Sequence, residues 1–334
     1  MSKRSKRRQG FMLKKAIQAQ HAQKKTTSKK VETSHGHSRG SSTGWKRIYE
    51  QEYKKLLLIP FILLLAAILQ IGIQQATTGD FISKDVSLKG GLTVTIPSGQ
   101  TFDLNALETK LKARFSDATF TLRQMSSFGK PIGIIISADV GNDQQDGFIA
   151  YLVKETGVDR STISIEEIGS SLGAQFFKQT LIAILIAFVF MGIVVFLYFR
   201  IPVPSGAVIL SAFSDMLVTV AIVNLLGIRV STAGIAAFLM LIGYSVDTDI
   251  LLTMRVLKNK EGTVMERVYG AIKTGLTMNM TTLAAVSVAF LLSESEVLRQ
   301  IMTILFIGLL IDMINTWIQN VGIIRWYMEK KHHE

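Results

Sequence analysis

The stretch TAGIAAFLMLIGYSVDTDILLTM, residues 232–254, is apolar along nearly all of its length and holds no Lys or Arg, yet Asp247 and Asp249 interrupt it. A helix that crosses a bilayer needs about 20 mostly apolar residues, and this run is long enough. An aspartate near the centre of such a helix costs about 2.5–3.5 kcal/mol on insertion scales. The pair therefore sits at a water boundary or at a working site. Two positions along a helix are separated by about 200° of rotation, so at most one of the two carboxylates points squarely into a bundle. Asp247 shares its face with Gly243 and Met240, and the reading turns that face toward a polar seam. Asp249 reads as a second candidate for the seam, or as a residue near the membrane boundary paired with Arg255 or local hydroxyls.

The same apolar pattern recurs six times, near 56–73, 180–199, 205–226, 231–254, 274–292 and 300–324. Of the 334 residues 48% are hydrophobic and 19% charged, against about 25% charged in ordinary soluble domains. The expected class is an α-helical membrane protein with six transmembrane helices. With no cysteine there is no disulfide framework and no thiolate metal site. Neither a metal nor a cofactor is expected. No Walker A pattern is present, and the chain does not read as an enzyme.

Charge fixes the expected orientation. Sixteen Lys and Arg precede residue 56. The loops FRIPVPS, RVLKNKEGTVMERVYGAIK and RWYMEKKHHE are basic, whereas the alternate loops GIR and SESEVLRQ carry one basic residue each. Short cytoplasmic loops are the Lys/Arg-rich ones, so both termini are expected in the cytoplasm and residues 74–179 outside it. Residues 1–55 read as a basic, largely disordered cytoplasmic tail, 56–73 as the first span, 180–325 as a five-helix membrane region and 326–334 as a cytoplasmic C-terminal tail. The basic tail reads as a solvated, orienting segment or as a binder of ribosomal RNA, nascent-chain machinery or anionic lipid. Because the net charge of +12 is concentrated there, nucleic acid is not expected as the main partner. Residues 258–275 read as an amphipathic helix along the inner surface or as a simple connector.

The insert at 74–179 has its own pattern. VSLKGGLTVTIP (86–97) alternates as a strand does, and DLNALETKLKARF (103–115) is helix-like with Asp103 as N-cap. ATFTLRQ and GIIISA read as strands, DQQDGFIAYLVKETG as a helix ending at Gly157, and TISIEEI as a last strand. The order βαββαβ is that of a ferredoxin-like sandwich.

Inside the spans the polar inventory is Asp215, Asp247, Asp249 and Asp312 with Asn224, Asn279, Asn315 and Asn320, and no Lys or Arg lies deep in any of them. At about 1.5 Å per residue, Asp215, Asp247 and Asp312 lie roughly 15, 10 and 18 Å from the cytoplasmic ends of their spans, which lets them meet. A membrane carboxylate without a cation can load and release a proton, as proton-driven machines require. Asp312 either joins that site or bonds Asn315 and neighbouring helices. Gly169, Gly173, Gly234 and Gly243 read as hinges or, more simply, as small residues that let helices pack closely.

Three membrane motifs together resemble the SecD/SecF family of protein-export membrane proteins. IGSSLGAQFFKQTLIAILIAFVFMGIVVFLYFR (168–200), with Gly169 and Gly173, is similar to the family's entry into its second span. SAFSDMLVT (211–219) resembles a span in which an Asp follows small residues. GYSVDTDILLTMRV (243–256) resembles the pattern Gly-Tyr-Ser-x-Asn-Asp ending in Arg, carried here by Gly243, Tyr244, Ser245 and Arg255. LKGGLTVTI (88–96), with Gly90 and Gly91, is similar to the strand that opens the family's outer domain. The pattern departs at Asp247-Thr248, where the family has Asn-Asp, and near Met278, where bacterial members have an Arg.

The resemblance implies a SecF-type subunit, archaeal in its short outer domain, whose six spans are half of a resistance-nodulation-division-type bundle and which pairs with a SecD-like six-span subunit beside a SecY-type channel. It implies proton flow through membrane carboxylates, an exported polypeptide as client and membrane lipid as surroundings, in the cytoplasmic membrane. Two alternatives use the same residues: a resistance-nodulation-division-type proton-coupled transporter protomer for a lipid or small molecule, and a scaffold whose aspartates only tie helices together.

Overall fold

The computed structural model describes residues 49, 52–98, 102–116, 118–127, 130–141, 143–258, 261–293 and 295–332. The basic tail expected over 1–55 lies outside them except for Tyr49 and 52–55. A turn α1 (Tyr53–Leu56) leads into α2 (Leu58–Thr78), which ends where Gly79 adopts a left-handed φ of 77°. A linker and a helical turn, α3 (Val86–Lys89), then enter a sheet module. Its elements are β1 (Gly91–Pro97), α4 (Leu104–Arg114), β2 (Phe120–Ser127), β3 (Lys130–Ala138), α5 (Gln145–Thr156) and β4 (Ser164–Ile168). The remainder is helical: α6 (Ser170–Phe199), α7 (Pro202–Leu225), α8 (Thr232–Lys258), α9 (Val264–Leu292), α10 (Glu296–Ile314), a π-helical segment (Asn315–Asn320) and α11 (Val321–His332).

The sheet is antiparallel throughout, in the order β2-β3-β1-β4. Leu92, Val94 and Ile96 recur at period two on β1 and face Ile134 and Ile136 of β3 on the same side. Leu107 and Leu111 of α4 with Phe148, Ile149 and Leu152 of α5 close that face into one core. Each fully buried Leu, Ile or Phe contributes about 1.5–3 kcal/mol relative to exposure, which is what holds so small a module together. Asp103 caps α4 by accepting from the Ala106 amide at 3.1 Å, and Gly157 ends α5 in the left-handed region, φ 66°.

The strand read from residue 86 begins instead at Gly91. Leu88 turns away from the sheet into a cluster with Ile82 of the linker, Val230 of the turn after α7, and Val223 and Leu241 of the helices, so its apolar alternation serves the bundle. Gly90 and Gly91 take φ of 88° and 134°, and a Cβ on Gly91 would stand 2.5 Å from the Ala138 carbonyl oxygen. Only glycine allows the chain to pass there.

Six helices are long and apolar enough to cross a membrane, namely Tyr53–Thr78, Ser171–Phe199, Pro202–Leu225, Thr232–Lys258, Val264–Leu292 and Val297–Lys331. The third and fourth form the buried centre, against α10 and the π segment, while the first and second are almost wholly exposed on the flank. Residues 264–275 are not a separate helix along a surface. A capping box between Thr263 and Glu266 starts α9 there, and nothing interrupts its backbone ladder up to Leu292. At the end of the bundle away from the sheet, the Arg325 guanidinium lies 4.1 Å from the Tyr53 ring centroid and Tyr53 donates to Glu329, so α1 is fastened to α11.

Candidate functional site

Asp215 on α7 is 1% exposed, and Asp249 on α8 and Asp312 on α10 are 0% exposed. Among the described residues no Lys or Arg forms a salt bridge with any of them. Each instead accepts from one asparagine amide. Asn315 Nδ2 donates to Asp215 Oδ1 at 2.7 Å, Asn320 Nδ2 to Asp249 Oδ1 at 2.7 Å, and Asn279 Nδ2 to Asp312 Oδ2 at 3.1 Å. Hydroxyls complete the set: Ser245 donates to Asp215 Oδ2 at 2.6 Å, Thr316 to Asp312 Oδ1 at 3.1 Å, and Thr248 to Asn279 Oδ1 at 3.3 Å.

Three of these groups come from the segment NTWIQN, 315–320. Asn315, Thr316, Gln319 and Asn320 are all 0% exposed. A π turn bonds i to i+5, which brings Asn315 and Asn320 round to the same side, one to each of Asp215 and Asp249. Gln319 Nε2 adds a bond to Ser214 Oγ at 3.2 Å. Among the described residues the buried amide oxygens Asn315 Oδ1, Gln319 Oε1 and Asn320 Oδ1 have no hydrogen-bond partner, nor does the Thr253 hydroxyl. A buried polar atom left unpaired costs about 1–3 kcal/mol, so a protonated carboxyl, which adds a donor, relieves part of that cost.

The reading that turned Asp247 toward the seam is corrected by this geometry. Leu241, Ile242, Ser245, Val246, Thr248, Asp249 and Leu252 form the buried arc of α8, and Asp247 lies on the opposite, exposed side. Its neighbours there are Met240, 46% exposed, Tyr244, 44% exposed, and Gly243, whose added Cβ would meet nothing within 4 Å. Gly243 therefore marks no helix contact within this chain, and the face it shares with Asp247 is bare. Asp249 does not pair with Arg255. That side chain is exposed and donates through Nη1 to the Gly270 carbonyl at 2.6 Å, tying α8 to α9.

The remaining motif glycines meet elsewhere. A Cβ on Gly173 would stand 2.6 Å from the Gly90 nitrogen, so the start of α6 and the double glycine before β1 are in backbone contact, whereas Gly169 is in open space at the N-cap of α6. Thr316 and Gln319 were not singled out in the sequence. The signal that reveals them is the polar spacing Asn315, Thr316, Gln319, Asn320, which keeps all four side chains within one arc of a helix.

The family described as Protein export membrane protein SecD/SecF, C-terminal, matches residues 149–330. Over 286 residues the chain is 38% identical to the protein-export membrane protein SecF of Pyrococcus furiosus, covering 86% of this chain and 95% of that one. The chain belongs to the SecF family. It is also 38% identical over 287 residues to SecF of Methanocaldococcus jannaschii, covering 83% and 96% of the two chains. The SecF-family chain shares its fold with a crystal structure of SecDF, a translocon-associated membrane protein from Thermus thermophilus, at a TM-score of 0.63 and 19% identity. A super-membrane-facing form of SecDF gives 0.54 and 18%. The match spans 83% and 82% of this chain but 38% of each SecDF chain. Family membership and the six apolar helices make this a multi-pass membrane protein.

Proposed function

We propose that this chain is the SecF-type accessory subunit of the Sec protein-export translocase, pairing with a SecD-like six-span subunit to promote polypeptide translocation across the cytoplasmic membrane. Residues 74–179 then form an extracytoplasmic, ferredoxin-like domain, a reading favoured by the β2-β3-β1-β4 order with α4 and α5 on one face. Both termini lie in the cytoplasm, with residues 1–55 and 326–334 as tails around the first span at 56–73 and the five-helix region at 180–325. The exported polypeptide, a SecY-type channel and membrane lipid are its other partners.

The observation that carries the mechanism is the burial of Asp215, Asp249 and Asp312 among amides and hydroxyls, with no salt-bridge partner among the described residues. Loading a proton turns an acceptor-only carboxylate into a donor, and the unpaired amide oxygens of Asn315, Gln319 and Asn320 are the nearby acceptors that rearrangement can satisfy. Releasing it restores the present pattern. The two states differ in which helices are tied together, and that difference is the work delivered to the export machinery. The bare face of α8 at Met240, Gly243, Tyr244 and Asp247 is where the SecD-like bundle docks, since an exposed carboxylate in a membrane span is costly against lipid.

Gentle extraction of the native complex tests the reading. Recovery of a second six-span protein together with the channel supports it; recovery of this chain alone or as a homodimer would favour an independent transporter.

A further inference from the structure

We infer that Asn224 is a positioning residue that straps the carboxylate-bearing helix α7 to the sheet module and so couples the two. The inference rests on the proposed function and names the link that function needs. Asn224 lies in the last turn of α7, nine residues or roughly 14 Å beyond Asp215, and is 7% exposed. Its amide is used at both ends on one target. Oδ1 accepts from the Ser83 amide at 3.0 Å and Nδ2 donates to the Phe81 carbonyl at 3.0 Å, which is how a neighbouring strand would pair with that backbone.

Phe81 and Ser83 belong to the linker between α2 and the sheet module, and every polar group of Ser83 is held by the bundle. Its carbonyl accepts from the Val230 amide at 2.7 Å and its hydroxyl from Gln74 Nε2 at 3.1 Å. The Asp85 amide donates to the Val230 carbonyl at 2.9 Å, making a parallel bridge between the linker and the α7–α8 turn. The Thr232 amide donates to Ser87 Oγ at 3.3 Å, and Arg229 Nη2 reaches the Phe120 carbonyl at the start of β2 at 3.3 Å. Beyond the linker, α3 and the close-packed Gly90-Gly91 lead directly into β1, the strand between β3 and β4.

The hairpin α7–α8 thus holds Asp215 and Asp249 along its length and grips the sheet module at its tip. A change in the spacing of the two helices at the carboxylates moves the tip, and the strap moves β1 with it. Asn224 is the one side chain of α7 that bonds the linker backbone at two points among the described residues.

The chain has no cysteine, so spin labels placed by Ala106→Cys on α4 and Leu292→Cys at the end of α9, both exposed, report the distance from sheet module to bundle in the full complex. Asp249→Asn holds that carboxyl in a neutral form. The strap predicts that Asp249→Asn shifts the distance distribution and that adding Asn224→Ala reduces the shift at least about fivefold, with the yield and melting temperature of the complex retained. A shift that survives Asn224→Ala undiminished overturns the strap and leaves the carboxylate reading standing. No shift with Asp249→Asn, together with normal export, overturns both. If Asn224→Ala does not fold, Asn224→Asp, which keeps the acceptor for Ser83 and removes the donor to Phe81, decides by the same readout.

Discussion

Asn315 Nδ2 lies 2.7 Å from Asp215 Oδ1, joining residues 100 positions apart and making an amide the partner that a Lys or Arg would otherwise supply. Asn315→Leu removes the donor and leaves the carboxylate buried. We expect a loss of about 1–3 kcal/mol in stability, read as a lower melting temperature of the purified complex. Asn315→Asp sets a second carboxylate against the first and lowers it further. An unchanged melting temperature in both would contradict the pairing.

Asp249 and Asp247 separate site from surface. Asp249→Asn is expected to reduce export in membrane vesicles to near background while the chain still assembles. Asp247→Leu changes an exposed position, so the stability of the chain itself stays within about 0.5 kcal/mol. Its effect is expected in the quantity of SecD-like partner recovered, which falls. Equal export defects from the two neutral variants, with partner recovery intact, would argue against this division.

The glycines divide in the same way. Gly173→Ala drives a Cβ to 2.6 Å from the backbone nitrogen of Gly90, an atom that cannot swing aside. Overpacking of this kind costs about 1–3 kcal/mol, and the sheet module is expected to loosen from α6, visible as faster amide exchange in β1. Gly243→Ala meets nothing within the chain and leaves exchange unchanged, yet weakens partner recovery because its face is where the partner docks.

Arg255 carries a cheaper prediction. Its 2.6 Å bond to the Gly270 carbonyl ties the α8–α9 turn, so Arg255→Ala is expected to speed proteolysis at that turn while export by the surviving intact chain is retained. A variant that stays resistant but loses export would move Arg255 into the working site.

Much of this architecture was legible because it rests on long patterns. Six apolar runs, the alternation in Leu92, Val94 and Ile96, and the cap at Asp103 each follow from burial or from an unpaired helix end. The misreadings share one cause, a side chain whose neighbours come from elsewhere. Leu88 alternates with the strand yet is claimed by Val223 and Val230 of the bundle. Gly243 has the small size of a packing residue, but among the described residues no helix stands opposite, so the inward direction assigned to its face, and to Asp247, was reversed. The amide partners were visible as an inventory of asparagines, whereas their one-to-one assignment to aspartates depends on how three helices and a π turn meet.

That π turn has a consequence for reading the sixth span. Five residues of ordinary α-helix carry the chain through about 500°, which would leave Asn315 and Asn320 about 140° out of phase. The wider turn absorbs the difference, so every residue after 320 is offset from the helical wheel drawn for residues before 315. Deleting a single residue between them would restore an uninterrupted wheel: four ordinary steps cover about 400°, so Val321 to His332 keep nearly their present phase and Arg325 stays on the Tyr53 ring. The span thus behaves as two wheels on one axle, and comparisons of its sequence with a relative hold only when each half is aligned in its own phase.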